Sequence, residues 1–290
     1  MKVCCAGEVM LEIAAADQPG LYRRGFAGDS FNTAVYLARA GYEVDYLTRI
    51  GDDAISRDIL RQLHREQIGT ELVVCMENRL PGLYMIENSA DGERRFTYWR
   101  DHSPARELFD LPVSLDKTGV FYFTGITLAV TRSGIEQLCS LLESLRGEGC
   151  RIVFDPNYRE QLWDDRAQAR SFHEQVLPYC DMVMPTMEDE QVLWGVATVD
   201  DCLSMYRNHG AAEIVIKGSD LVGHASSGDQ TISLQAGRVQ AVDTSGAGDS
   251  FNAGYLACRL AGGSMRDSLM AAQTLSARVV QHRGAILPRQ

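Results

Sequence analysis

A chain of 290 residues, 45% of them apolar and 8% aromatic, can bury a sizeable core in one large domain or two small ones. Its 39 acidic against 28 basic residues give a formal charge of −11, which argues against a nucleic-acid footprint because phosphate backbones require a basic surface. Eight scattered cysteines, without a CxxC pair or a zinc-like histidine spacing, predict reduced thiols in a cytoplasmic protein.

In chain order, "KVCCAGEVMLEI" predicts a buried first strand, since Glu8 and Glu12 interrupt any signal-peptide core. No stretch approaches the roughly 20 apolar residues that cross a bilayer. "DSFNTAVYLARAG" then places Phe31, Ala34, Val35, Leu37 and Ala38 on one helical stripe, opened by Asp29 or Ser30 and closed by Gly41. The alternation continues with "VDYLTRIG" as a strand and "AISRDILRQLHREQ" as a helix. "VFYFTGI", a helix near 132–147, "RIVFD", a helix near 165–176, "DMVMPT" and "EIVIKG" follow. Two helices, near 247–261 and 265–282, end the chain. Short apolar strands separated by helices predict a mostly parallel sheet covered on both faces.

Residues 80–100, "LPGLYMIENSADGERRFTYWR", break the pattern with two β-rich runs and no intervening helix, which predicts a hairpin outside the main sheet. Period-two geometry puts Phe96, Tyr98 and Arg100 on one face and Arg95, Thr97 and Trp99 on the other. A three-residue loop at Ala90, Asp91 and Gly92 pairs Tyr84 with Tyr98; a two-residue loop would send Tyr84 to the opposite face. No repeat or Pro/Ser-rich linker marks a second independent domain.

Residues 242–257, "VDTSGAGDSFNAGYLA", put Gly246 and Gly248 beside Asp249 at a helix entrance. Backbone N–H groups there are unpaired and carry partial positive charge, so bare glycine lets an anion approach. An aspartate would oppose simple anion holding but suits a base that removes a proton from an attacking hydroxyl, which points to phosphoryl transfer. An ordinary helix cap would show the same local pattern. Neither GxxxxGK[ST] nor GxGxxG is satisfied, since Phe251 occupies the last position of the second.

"DTSGAGDSFNAGYL" and, earlier, "GFAGDSFNTAVYLARAG" resemble the C-terminal and N-terminal motifs of the ribokinase-like (PfkB) carbohydrate kinases, in the right order. That resemblance covers essentially the whole chain. It implies a single kinase domain over residues 1–290, with a mostly parallel α/β sheet between helices and a small β-sheet lid built from about 10–27 and 72–101. It also implies ATP as phosphoryl donor, Mg²⁺, and in some family members a monovalent cation near Asp243. By the same similarity Asp249 is the catalytic base, Gly246, Ala247 and Gly248 form the anion hole, and Gly28, Asp29 and Asn32 lie at the sugar. Lys217, Gly218 and Ser219 of "VIKGS" fall near the nucleotide, as do Ser276 and Gly284 of "SARVVQHRGAILP". The family's NxxE motif reads "PTMED" here, with Thr186 for Asn and Asp189 for Glu. Asp189 is the candidate metal carboxylate, with Glu188 and Glu190 equally close in sequence.

For the acceptor, arginine's planar fork suits a carboxylated sugar, and Arg100 on the hairpin and Arg159 after "RIVFD" are placed to supply it. "PGLYMIENSADGERRFTYWRDHSPAR" with "DPNYREQLW" resembles the 2-keto-3-deoxygluconate kinase branch of the family. This implies contacts from Tyr84, Tyr98, Arg100 and Arg159, with Arg106 a weaker candidate, and transfer of phosphoryl to the 6-hydroxyl of the acid sugar. The residues leave open a kinase for fructose, 2-dehydro-3-deoxygalactonate or 5-dehydro-2-deoxygluconate, and a catalytically silent sugar-binding protein on the same fold. Pairing through the lid of a second copy, or a monomer, fits the sequence equally.

Overall fold

The computed structural model describes residues 1–16, 18, 20–88, 94–218 and 220–289. The first apolar stretch divides in two. β1 (Lys2–Ala6) enters the centre of a large sheet, and β2 (Met10–Ala15) enters a small one. The break falls at Gly7, whose backbone passes so close to Ser30 that a Cβ would come within 2.1 Å of its Oγ.

After β3 (Tyr22–Ala27) come α1 (Asp29–Arg39), β4 (Glu43–Gly51), α2 (Ala54–Arg65) and β5 (Val73–Met76). Asp53 caps α2 by accepting the Ile55 N–H at 2.6 Å. β6 (Leu83–Asn88) and β7 (Arg94–Trp99) form the expected hairpin, with Tyr84 opposite Tyr98. Its loop, Ala90 to Gly92, lies outside the described residues. β5 was expected with the hairpin, but it pairs in parallel with β4 at the edge of the large sheet.

The middle of the chain runs β8 (Val120–Thr124), α3 (Gly125–Val130), α4 (Ile135–Gly147), β9 (Arg151–Asp155), α5 (Arg166–Val176) and β10 (Met182–Val183). The apolar run that predicts this strand continues to Ile126, but β8 stops at Thr124. Thr124 ends it by accepting the Thr127 N–H at 3.1 Å, and Gly125 is pressed against the Pro156 carbonyl, 1.8 Å from where a Cβ would stand. The last third comprises α6 (Met187–Trp194), α7 (Val199–Asn208), β11 (Glu213–Lys217), β12 (Val222–Ser227), β13 (Gln230–Gln235), α8 (Ala247–Leu260) and α9 (Met265–Val279).

The large sheet has the order β13-β12-β11-β10-β9-β8-β1-β4-β5, parallel except at β12 and β13. Alternating side chains build two cores. Phe121, Phe123, Ile152 and Phe154 meet α4, α5 and α7, while Val3, Cys5, Tyr122 and Val153 meet α1, α2, α8 and α9. Each fully buried side chain of this size contributes about 1.5–3 kcal/mol, which fixes the strand ends where chemistry can be mounted. The small sheet, β3-β2-β6-β7, stands over those ends, its own contacts made by Met10, Ala14, Ala27, Tyr84 and Ile86. Among the described residues no helix is long and apolar enough to cross a membrane, and all eight cysteines are free thiols.

Candidate active site

Between the small sheet and the strand ends lies a cavity of about 850 Å³. It gathers Gly28, Asp29 and Asn32 from the start of α1, Tyr84, Tyr98 and Arg100 from the hairpin, and Arg159 from the loop after β9. The loop Thr244 to Asp249 closes the far wall, and Asp189 and Lys217 complete it. A second, largely apolar cleft of about 380 Å³ adjoins it, walled by Val222, Val239, Phe251, Ser276 and Val280. Thr186, Lys217, Thr244, Ala247 and Gly248 line both spaces and form the partition between them.

Asp249 faces the first cavity. Its Oδ2 accepts a hydrogen bond from Asn32 Nδ2 at 2.8 Å, and its backbone carbonyl accepts from Thr33 Oγ1 at 3.3 Å. It is half-buried and lines the cavity wall. Burial, and then the neighbouring charge of Asp29, push its carboxyl from 3.8 up to about 8. Asp29 is held in place by Asn157 Nδ2 at 2.8 Å. Asn32 keeps its Oδ1 buried and without a partner among the described residues, an acceptor left for a hydroxyl from the cavity.

The glycine loop departs in one respect from the expected anion hole of residues 246–248. The Ala247 N–H donates to the Thr244 carbonyl at 3.2 Å, whereas no protein acceptor among the described residues takes the N–H of Gly246 or Gly248. Gly246 sits at φ 71, with Ala285 2.7 Å from where a Cβ would be; a Cβ at Gly248 would meet no other part of the described fold within 4 Å. Gly246→Ala is therefore expected to lower the melting temperature through about 1–3 kcal/mol of backbone strain. Gly248→Ala should melt like the parent yet turn over more slowly, because its methyl intrudes on the anion's path; thermal melts with steady-state kinetics on both variants check this. Asp243 ties the loop down: its carboxylate accepts the Ser245 N–H at 2.9 Å and the Gly284 N–H at 2.7 Å.

Lys217, at the end of β11, reaches Asp155 at 3.0 Å and Asn252 at 3.1 Å, and Asn252 in turn donates to Asp155 at 2.6 Å. Asp155, Asn157 and Asn252 were not among the sequence candidates. Asp155 carried a signal, being an acid at the carboxyl end of a parallel strand. Asn252 carried none, since its role depends on how α8 lies against β9.

The expected arginines are both engaged. Arg100 is buried and ion-paired with the buried Glu8, although among the described residues its Nε and the Oε1 of Glu8 have no partner. Arg159 meets Asp189 at 3.2 Å, which joins the candidate carboxylate binder to the candidate metal ligand. Burial raises the Asp189 carboxyl, and Arg159 opposes that rise. Arg106 does not line the cavity.

On the nucleotide side, Gly218 and Ser276 line the apolar cleft, with Ser276 donating to the Ala247 carbonyl at 3.0 Å. Ser219 lies outside the described residues. Gly284 lines neither of these spaces but a third cavity, and its N–H donates to the Asp243 carboxylate. Of the remaining acids, Glu190 is buried against Tyr206 at 2.6 Å, with burial pushing its carboxyl up to about 8. Glu188 lines the cleft with a buried Oε1 that has no partner among the described residues, a donor atom that suits a hard cation. Among the described residues no group of three or more metal-ligating side chains occurs, so a divalent ion fits here only alongside oxygens from a ligand or water.

Comparison with known proteins supplies the context. Residues 1–290 match the family model described as pfkB family carbohydrate kinase. A 2-dehydro-3-deoxygluconokinase of Escherichia coli (strain K12) is 38% identical over 304 aligned positions, covering 100% of this chain and 98% of that protein. A 2-dehydro-3-deoxygluconokinase structure from Thermotoga maritima has the same fold, with a TM-score of 0.89 at 22% identity over 99% of this chain and 96% of that one. A putative Ribokinase II from E. coli, solved with ATP and Mg²⁺, superposes with a TM-score of 0.87 at 22% identity over 98% and 94% of the two chains. By motif, by fold and by the match along its full length, the chain belongs to the pfkB family of carbohydrate kinases.

Proposed function

We propose that this kinase transfers the γ-phosphoryl group of ATP to the 6-hydroxyl of 2-dehydro-3-deoxy-D-gluconate, giving 2-dehydro-3-deoxy-6-phospho-D-gluconate. The observation that carries the reading is the partition: Lys217 and Gly248 border both the cavity that holds Asp249 and the apolar cleft beside it. The sugar occupies the polar cavity, the adenine end of the nucleotide the apolar cleft, and the phosphates the partition between them. Asp249 removes the proton of the 6-hydroxyl, and the Gly246 and Gly248 N–H groups with Lys217 receive the charge that develops on the transferring group. Bound Mg²⁺ neutralises phosphate charge. Glu188 and Asp189 are the carboxylates that would hold it, through water or directly. Tyr84 and Tyr98 flank the sugar, and Arg159 and Arg100 orient its carboxylate. A monovalent cation beside the loop would share Asp243 with two backbone N–H donors, so carbonyl oxygens would supply most of its ligands. The small sheet acts as the lid of a single kinase domain, and its exposed Leu21, Tyr22 and Trp99 give a surface for pairing with a second copy.

The test is a panel of sugars and sugar acids assayed for ATP-dependent phosphorylation. Preference for the 2-dehydro-3-deoxy acid supports the reading. Equal or better use of fructose, of either rival acid sugar, or no turnover with any acceptor would overturn it.

A pH profile gives an independent check, since only the ionised carboxylate of Asp249 can act as base. kcat/KM should rise with pH through about 8, and that limb should vanish in Asp249→Asn. Stability moves the other way. A carboxyl raised in the folded state holds a proton that the unfolded chain has lost above about 4, so its stabilising contribution is full below that pH and is lost as pH rises through about 8.

A further inference from the structure

A third cavity, of about 560 Å³, opens where strand β3, helices α1 and α2 and the C-terminal segment 283–289 converge. Seven of the chain's 28 basic side chains line it, against three carboxylates, in a protein whose formal charge is −11. Clustering like charge is unfavourable unless something offsets it. The internal offsets are incomplete. Glu66 takes Arg39 at 2.8 Å, Asp58 is shared by Arg24 and Arg61, and Glu12 is occupied by the Tyr84 hydroxyl. Among the described residues Arg23 on β3 and Arg65 on α2 have no partner, and Arg289 meets only the neutral Gln67, at 2.8 Å.

We infer that this cavity binds a small anion carrying two phosphate groups. The surplus decides the class. Leaving aside Arg283, which has an interaction of its own, six arginines less three carboxylates leave three positive charges, and a phosphate monoester brings about −1.5 to −2 near neutrality, so two phosphates match what one would not. Guanidinium forks on three separate elements suit phosphate oxygens, which accept paired hydrogen bonds. The anion would bridge the small sheet to α2 and to the C-terminal segment. That segment also touches the phosphoryl-transfer loop, because Gly284 holds Asp243 and Ala285 lines both this cavity and the polar one.

The source of the phosphates can be a diphosphate or a sugar bisphosphate, so the experiment uses inorganic pyrophosphate and a hexose 1,6-bisphosphate as probes, with inorganic phosphate for comparison. Calorimetric titration of the full chain, paired with amide hydrogen exchange, locates the site. The expected result is saturable 1:1 binding of at least one probe, tighter than inorganic phosphate by tenfold or more. Protection should appear in residues 22–27, 54–66 and 283–289. The double variant Arg23→Gln/Arg65→Gln should lose at least tenfold in affinity while keeping the parent's turnover in the absence of the probe. No saturable binding by either probe, an unchanged affinity in the double variant, or protection confined to residues 243–250 would overturn the assignment. Preference for one probe over the other identifies the source.

Discussion

Asp249→Asn is expected to lower kcat by about 10²- to 10⁴-fold, the usual range for loss of a positioned base. At 1.36 kcal/mol per decade this is about 3–5 kcal/mol of transition-state stabilisation. The substitution leaves the surroundings in place, because an asparagine oxygen can still accept the hydrogen bond that Asn32 gives at 2.8 Å. Sugar binding should therefore change little. Removing a carboxylate that burial and Asp29 both disfavour should also leave the protein at least as stable above pH 8. Single-turnover kinetics, calorimetric sugar binding and thermal melts at two pH values separate these effects. Near-normal turnover would refute the role of Asp249 as base.

Arg100→Ala carries the second large effect, and the structure changes what it should be. On sequence grounds the variant should mainly weaken an acid sugar relative to a neutral ketose. In the fold Arg100 is also the counter-ion of Glu8, and both side chains are buried. Truncating one member of such a pair leaves an uncompensated buried charge and costs about 3–5 kcal/mol of stability. The chemical melt of Arg100→Ala should fall accordingly, and Glu8→Ala placed in the same chain should recover much of the loss. A charge-assisted hydrogen bond to the sugar carboxylate is worth about 1.5–3 kcal/mol. The double variant should thus still bind the acid sugar roughly tenfold or more weakly than the parent, with the neutral ketose little affected. Equal loss for both substrates would remove Arg100 from carboxylate recognition and leave it a structural cation.

Much of the site was legible because it lies in contiguous motifs. The run from Asp243 to Asp249 is a single turn into α8, so its glycines and its acid are neighbours in sequence as in space. Alternation left two hairpin registers open, and β6 and β7 take the one that pairs Tyr84 with Tyr98. Elements without strong periodicity were harder to see. α6 follows a two-residue strand, and Val73–Met76, a short β-rich run, could join either sheet by pattern alone.

The amino-acid order determined, by itself, the alternating strands and helices, the family, and the pairing of a carboxylate with bare amides, since each is encoded within a dozen or so neighbouring residues. Only the tertiary structure decided what those groups touch. It gave Arg100 to Glu8, 92 positions away, Arg159 to Asp189, and Asn252 to Asp155, 97 positions away. It also set the Gly284 N–H on the Asp243 carboxylate, 41 positions away. The physical reason is that a charged or polar side chain removed from water takes whichever partner the packing of distant elements brings within about 3 Å, and no local pattern records that distance.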